Sequence, residues 1–389
     1  MQRYYFDHNA TTPVAPEVLD AMLPYLRDVY GNASSIHNFG QQARLGVETA
    51  RRQVASLLGC APKDVVFTSG GTEADNLAVF GTVRAIHDRE RHVITSNIEH
   101  PAVLNACEQL EREGAAITYL PVDSDGLVSV DDMSAALRPE TALISIMHAN
   151  NELGTIQPLA EISKIAVEAG VRFHTDGVQS CGKIPTRVKE LGVDFFSLSG
   201  HKFYGAKGAG ALYVRKGLQL EKVQYGGHHE RDRRPGTENV PGIVGLGAAA
   251  ELAEKHLVVE GERITALRDR LELDVLERID ECRVNGRGAP RVPNTTSIQF
   301  DHVEGEALLI ALDLRGCAVS SGAACSSGAV EPSHVLIAAG LSRDQAKSTL
   351  RFSLGRQTTG EHTDALVKAL IEVVSHLRAL SPAYSKSAA

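Results

Sequence analysis

The chain has no tryptophan, only 5% aromatic residues and four methionines in 389 positions. Its six cysteines (Cys60, Cys107, Cys181, Cys282, Cys317 and Cys325) include no C-x-x-C pair. That scatter suits reduced thiols in a cytoplasm better than a disulfide framework. No apolar run approaches the roughly 18 residues of a membrane span. The opening MQRYYFDHNA lacks the apolar stretch of a secretory signal. Positive charge is not in excess: 40 Lys and Arg against 48 Asp and Glu give −8, which argues against nucleic acid as a partner. The expectation is a soluble cytoplasmic protein without membrane or nucleic-acid partners.

What is present is an ordinary globular composition, 43% hydrophobic and 23% charged. The length predicts two domains. From about residue 50, short β-branched runs alternate with helical patterns. HVITSNI (92–98), AAITYLPVD (115–123), TALISIMHA (141–149), VRFHTD (171–176), DFFSLSG (194–200) and GALYVR (210–215) read as strands. PAVLNACEQLEREG (101–114) and a stretch near 158–169 read as helices between them. The alternation predicts an α/β fold with a mainly parallel sheet covered on both faces. A long helix after Pro241 leads into a smaller α+β unit with a strand at TTSIQF (295–300) and helices at 305–314 and 361–379. The domain expectation is a large domain over 15–255 and a small one from 1–14 and 256–389. The tail SPAYSKSAA reads as disordered. No internal repeat is visible.

Open sheets of this kind bind ligands at the carboxyl ends of their strands. Four polar clusters fall there: EHP, HANNE, HTDGVQ and SGHK. In SLSGHKFYGAKG (197–208), Lys202 is either a surface lysine or an amine able to bond an aldehyde cofactor. Asp176, in HTDGVQ, either caps the next helix or keeps a pyridine nitrogen protonated, and Gln179 lies three residues on. TSGGTEADN (68–76) offers backbone N–H groups around Gly71 and the Thr72 hydroxyl at a helix N-terminus, a cradle for an anion. His100 is either a solvated loop histidine or a group stacked on a ring. Asn151, in HANNE, can donate to a cofactor or a substrate. Arg351, in TLRFSLGR, needs a carboxylate, either a substrate's or one of the chain's own.

Cys325 stands in SSGAACSSG (320–328), a run of small residues with nothing bulky to hold the thiol. Free of β-branched residues, such a run is supple, and four or five residues on each side allow excursions of about 10 Å or more.

Together these segments resemble the cysteine desulfurases of the NifS/IscS type, pyridoxal-phosphate enzymes with the class V aminotransferase fold. DHNATTPVAPEVLDAMLPYL (7–26), GNASSIHNFGQQAR (31–44), HANNELGTIQP (148–158), FHTDGVQSCGKI (173–184) and RRPGTENV (233–240) extend the match from residue 7 to about 356. GTENV resembles the nitrogen-fixation branch more than the housekeeping one. The resemblance implies a large cofactor domain and a small domain carrying the cysteine loop. It implies Lys202 as the Schiff-base lysine, Asp176 at the pyridine nitrogen, Gln179 at the phenolic oxygen and His100 stacked on the ring and shuttling protons. Thr72, Ser199 and His201, with the Gly71 backbone, would hold phosphate, Asn151 would lie near the ring and substrate, and Arg351 would hold the substrate carboxylate. Gly71 stands where relatives often have alanine, a change that keeps the N–H. Thr237 would reach the phosphate of a second subunit, implying a homodimer.

The activity implied is removal of sulfur from L-cysteine, giving L-alanine and a persulfide on Cys325 for an iron–sulfur scaffold or another acceptor protein. A transient iron–sulfur species on that persulfide is the one metal role implied. Selenocysteine lyase, or another class V enzyme of small amino acids, is the alternative. A non-catalytic sulfur scaffold would lack Lys202 or Asp176, and both are present. Cys317 with Cys325 lacks the flanking ligands of a metal site. Cys60, Cys107, Cys181 and Cys282 read as structural thiols.

Overall fold

The computed structural model describes residues 2–86, 90–321, 331–380 and 384. Cys325 and most of the C-terminal tail lie outside them. The larger sheet has seven strands: β1 (Val65–Thr68), β2 (His92–Ser96), β3 (Ala116–Leu120), β4 (Thr141–Ser145), β5 (Arg172–Asp176), β6 (Phe195–Ser199) and β7 (Gly210–Val214). Their order is β1-β7-β6-β5-β4-β2-β3. Strands β3, β2, β4, β5 and β6 pair in parallel, and only β7 runs antiparallel to both its neighbours. Every residue of β1, β2, β4, β6 and β7 is buried, as expected of strands covered on both faces.

The covering layers include α1 (Pro16–Arg27), α2 (Asn38–Leu58), α3 (Gly71–Arg84) and α4 (Pro101–Arg112). Helix α4 starts where it does because His100 caps it and Pro101 fits the first turn, where an N–H has no partner to lose. Helix α5 (Val240–Arg278) is capped by the Asn239 side chain, which accepts from Gly242 N. Its first turns bury Ile243, Leu246, Ala249 and Ala250 in the core of the large sheet. Ile264, Leu271 and Val275, further along, enter a second core with Phe6, Phe300 and Phe352. That second core backs a three-stranded antiparallel sheet of β8 (Cys282–Asn285), β9 (Thr295–Phe300) and β10 (Thr349–Ser353), covered by α6 (Gly360–Leu380).

Two features go beyond the sequence reading. Strand β1 follows a helix without a period-2 pattern, because all four of its side chains are buried. Strand β7 breaks the parallel series because only residues 200–209 separate it from β6, too few for a crossover helix, so the chain turns back. The return brings Gly210 against the loop that opens α3. A Cβ on Gly210 would meet Gly70 Cα at 2.6 Å, so the approach requires glycine.

Candidate active site

The carboxyl ends of the parallel strands deliver side chains to one cavity of about 500 Å³, a size typical of small-ligand sites. Asp176 is the last residue of β5, Ser199 the last of β6, and His201 and Lys202 occupy the 3-10 turn that follows. His100 comes from the α4 cap, Gly71 and Thr72 from the first turn of α3, and Gln179 from the turn after β5. Arg351 reaches in from β10 of the small sheet. Thus Lys202, Asp176, Gln179, His100, Gly71, Thr72, Asn151, Ser199, His201 and Arg351 share one wall system. An adjoining cleft of about 420 Å³ runs past Gly71, Thr72, Ser199 and His201 to Lys207. Thr237 lines neither; it is exposed, on a loop anchored by Arg234 Nε donating to Glu73 Oε1 at 2.7 Å.

Lys202 Nζ donates to the carbonyls of Asn9 (2.5 Å) and Ala10 (2.8 Å). Burial, then the Arg351 cation, pull its amine down to about 8, against the opposing pull of Asp176 and Asp7. Asp176 is buried, and its Oδ1 accepts from Val178 N at 2.9 Å rather than capping a helix. Burial and then the neighbouring Asp75 push its carboxyl up to about 6, with His100 pulling the other way. His100 is shifted down, first by burial, so its ring is neutral at pH 7. Ala102 N donates to its Nδ1 at 3.1 Å, which leaves the ring proton on Nε2. His201 Nδ1 lies 3.1 Å from Thr11 Oγ1, and burial lowers its pKa to about 4.

Arg351 is paired with a carboxylate of the chain itself. Its Nη2 donates to Asp7 Oδ1 at 2.7 Å and its Nη1 to Asn151 O at 3.0 Å, while buried Nε has no partner. The ion pair with the chain's own carboxylate therefore exists, on a side chain that also faces the cavity. Backbone bonds in both directions tie Arg351 to Ser320, which lies on the cavity wall and opens the Cys325 segment.

Three residues escaped the sequence reading. Asn9 is the hub of the site: its carbonyl accepts from Lys202 and Gln179, and its Oδ1 from Lys183 (3.0 Å) and Asn294 (2.9 Å). Its Nδ2 donates to Asn151 O and Thr295 Oγ1. Nothing in the polar stretch DHNATT marks one residue over the next. Asp7 is hidden in the same stretch. Asp75 was findable: a carboxylate beside Ala74, Leu77 and Ala78, all buried, needs a reason. It lines the cavity with Oδ1 3.5 Å from His174 Nε2, and burial raises it to about 7.

The other thiols behave as structural groups. Cys60, Cys107 and Cys181 are all pushed up to about 12 by burial, which suppresses the reactive thiolate. No three His, Cys, Asp or Glu side chains converge to hold a metal among the described residues.

A parallel sheet with a lysine, an aspartate and an anion cradle at its carboxyl edge defines a class. The family model for aminotransferase class-V matches residues 4–366, and the chain belongs to that family, among its cysteine desulfurases. It is 51% identical to a cysteine desulfurase of Nostoc sp. over 98% of this chain and 95% of that one. It is 49% identical to the cysteine desulfurase IscS of Dictyoglomus turgidum, over 97% and 96% of the two chains. Among solved structures it resembles a NifS-like protein with a TM-score of 0.90 and 38% identity, covering 97% of this chain and 100% of that one.

The cofactor of the family is pyridoxal 5′-phosphate, and the cavity suits it on its own evidence. An amine and a buried carboxyl face one space, and hydroxyl and imidazole donors stand beside the N-terminus of α3. A Cβ at Gly71 would come within 2.6 Å of Val178 Cγ2, so the bare backbone keeps that wall open.

Proposed function

We propose that the protein removes sulfur from L-cysteine, releasing L-alanine and leaving a persulfide on Cys325. The observation that carries this is the convergence of Lys202, Asp176 and Arg351 on the cavity from whose wall, at Ser320, the Cys325 segment departs. Cys325 lies five positions beyond Ser320, a reach of at most roughly 18 Å.

Lys202 would hold the cofactor covalently, Asp176 would face its ring nitrogen, and His100 would stack on its ring. Gln179 would meet its phenolic oxygen, and Gly71, Thr72, Ser199 and His201 would hold its phosphate. Pyridoxal phosphate, when bound, supplies an electron sink that lets the bonds around an amino acid's α-carbon ionise. The chain's own groups do the rest. Arg351 receives the substrate carboxylate, and Asn151 lines the same wall. With its pKa near 8, Lys202 is partly neutral at pH 7 and able to take up a proton, and the Asn9 and Ala10 carbonyls steady the free amine. Neutral His100 presents its Nε2–H as a hydrogen-bond donor on the same wall. The Cys325 thiolate attacks the substrate sulfur, the carbon–sulfur bond breaks with its electrons on carbon, and a proton delivered there completes alanine.

Four finer points belong to the same proposal. Helices α1 and α2 and the loop between them expose Leu26 (58%), Tyr30 (74%), Ile36 (94%), Phe39 (50%) and Leu45 (65%), an apolar face suited to a second copy of the chain. A homodimer would cover it and bring exposed Thr237 within reach of the partner's phosphate site. The division into a large domain (15–255) and a small one (1–14 and 256–389) follows the two cores joined by α5. The scattered free thiols, and the absence of any helix long and apolar enough to cross a membrane among the described residues, support a cytoplasmic place. An iron–sulfur scaffold is the acceptor we favour, with GTENV as the ground for a nitrogen-fixation role.

The test is product analysis with L-cysteine and a reducing thiol. Alanine and sulfide in equal amounts, both lost in Lys202→Ala, support the proposal. Pyruvate with sulfide, or a keto acid without sulfide, overturns it.

A further inference from the structure

Lys183 is a buried amine beside the site with no role in the chemistry above. It stands four residues after Gln179, and its Nζ donates to Gln179 Oε1 at 2.7 Å and to Asn9 Oδ1 at 3.0 Å. Both partners are neutral amide oxygens. The other cations near it are Lys202 and Arg351, which together with burial hold its amine well below the ordinary lysine range. It is therefore placed as a hydrogen-bond donor rather than as half of an ion pair.

An amide side chain has an accepting end and a donating end of nearly equal shape, and its partners decide which faces where. The Asn9 amide is fixed independently: Oδ1 also accepts from Asn294 Nδ2, while Nδ2 donates to Asn151 O and Thr295 Oγ1. Its oxygen thus points at Lys183 and requires a donor there. The same amine then claims the oxygen end of Gln179, and Gln179 Nε2 donates to the Asn9 carbonyl at 2.9 Å. With Oε1 occupied, what Gln179 has left for the cavity is its second N–H.

We propose that Lys183 is a positioning residue that fixes the polarity of the Gln179 amide, so that the cavity is offered a donor and never an acceptor. A donor facing the phenolic oxygen of bound pyridoxal phosphate stabilises negative charge there and holds protons off the cofactor. A flipped amide would present a lone pair to that charge. The inference rests on the cofactor occupying this cavity with its phenolic oxygen toward Gln179.

The experiment is a pH titration of the cofactor's absorbance in the holoenzyme. It compares wild type, Lys183→Met, Lys183→Gln, Gln179→Leu and the Gln179→Leu/Lys183→Met double variant. Lys183→Met removes the donor and raises the pH midpoint by roughly one unit, the size of one hydrogen bond to a charged oxygen. Lys183→Gln keeps an N–H without the charge and stays near wild type. In the Gln179→Leu background, Lys183→Met adds no further shift, because Lys183 acts through Gln179. An equal shift in Lys183→Gln and Lys183→Met, or a full further shift in the double variant, would assign the effect to charge and overturn the inference. So would an unchanged midpoint in Lys183→Met. If wild type shows no bound-cofactor absorbance at all, the cofactor assignment itself falls, and this inference with it.

Discussion

Arg351, on the cavity wall, and Asp7 form an ion pair of 2.7 Å although 344 residues apart in sequence, and the buried Nε of the guanidinium has no hydrogen-bond partner. A planar guanidinium fork can take a carboxylate through two parallel hydrogen bonds, which an ammonium cannot match. Arg351→Lys should therefore cost about 3 kcal/mol of transition-state binding, roughly a hundredfold in kcat/KM, mostly through KM. The absorbance of bound cofactor should stay unchanged. Steady-state kinetics with L-cysteine check this; a loss of cofactor instead would make Arg351 a structural residue.

The Asp176 carboxyl, raised to about 6, gives cofactor uptake a pH dependence. Above pH 6 the group is an anion able to pair with a protonated ring nitrogen; below it the charge is lost. Affinity of the cofactor-free chain for pyridoxal phosphate should fall as pH drops from 7 to 5, and Asp176→Asn should be weak and flat across that range. Equilibrium titration by absorbance reads both.

Three buried carboxyls, Asp176, Asp75 and Glu99, are raised to about 6, 7 and 8, mainly by burial. A carboxyl whose folded pKa lies above its unfolded value stabilises the fold below the unfolded pKa, and that contribution disappears as pH rises through the folded value. The cofactor-free protein should then lose several degrees of Tm between pH 6 and 8.5, since one pKa unit is worth about 1.4 kcal/mol. Glu99→Gln should flatten the upper part of the curve. Its Oε1 accepts from Ser96 and Met147 N, and both bonds survive the change.

The parallel strands were legible, though not their order, because strands buried on both faces read as β-branched runs, and the residues that line the cavity stand in the polar clusters at their ends. Asn9 was not legible: its importance lies in seven long-range hydrogen bonds that no local pattern encodes. The antiparallel turn of β7 was likewise set by what the 200–209 loop is too short to do. Arg351 was legible as a cation needing a carboxylate, but Asp7 was not, since the pair bridges the two ends of the chain.

The apolar face of α1 and α2 makes an oligomer prediction. The wild-type chain should run as a dimer by light scattering, and Leu26→Asp with Ile36→Asp should convert it to monomer. If Thr237 completes the partner's phosphate site, the monomer should also hold pyridoxal phosphate at least tenfold more weakly, about 1.4 kcal/mol. A monomer with wild-type cofactor affinity would separate the two claims.

The central claim is that sulfur leaves the substrate onto Cys325. The most direct measurement is a single turnover of the holoenzyme with L-cysteine, following alanine release and the mass of the Cys325 peptide, beside Cys325→Ala. Alanine rising in step with one added sulfur on Cys325, and neither appearing in a Cys325→Ala protein that still binds cofactor, is the predicted result. Alanine formed by Cys325→Ala at the wild-type rate would contradict it.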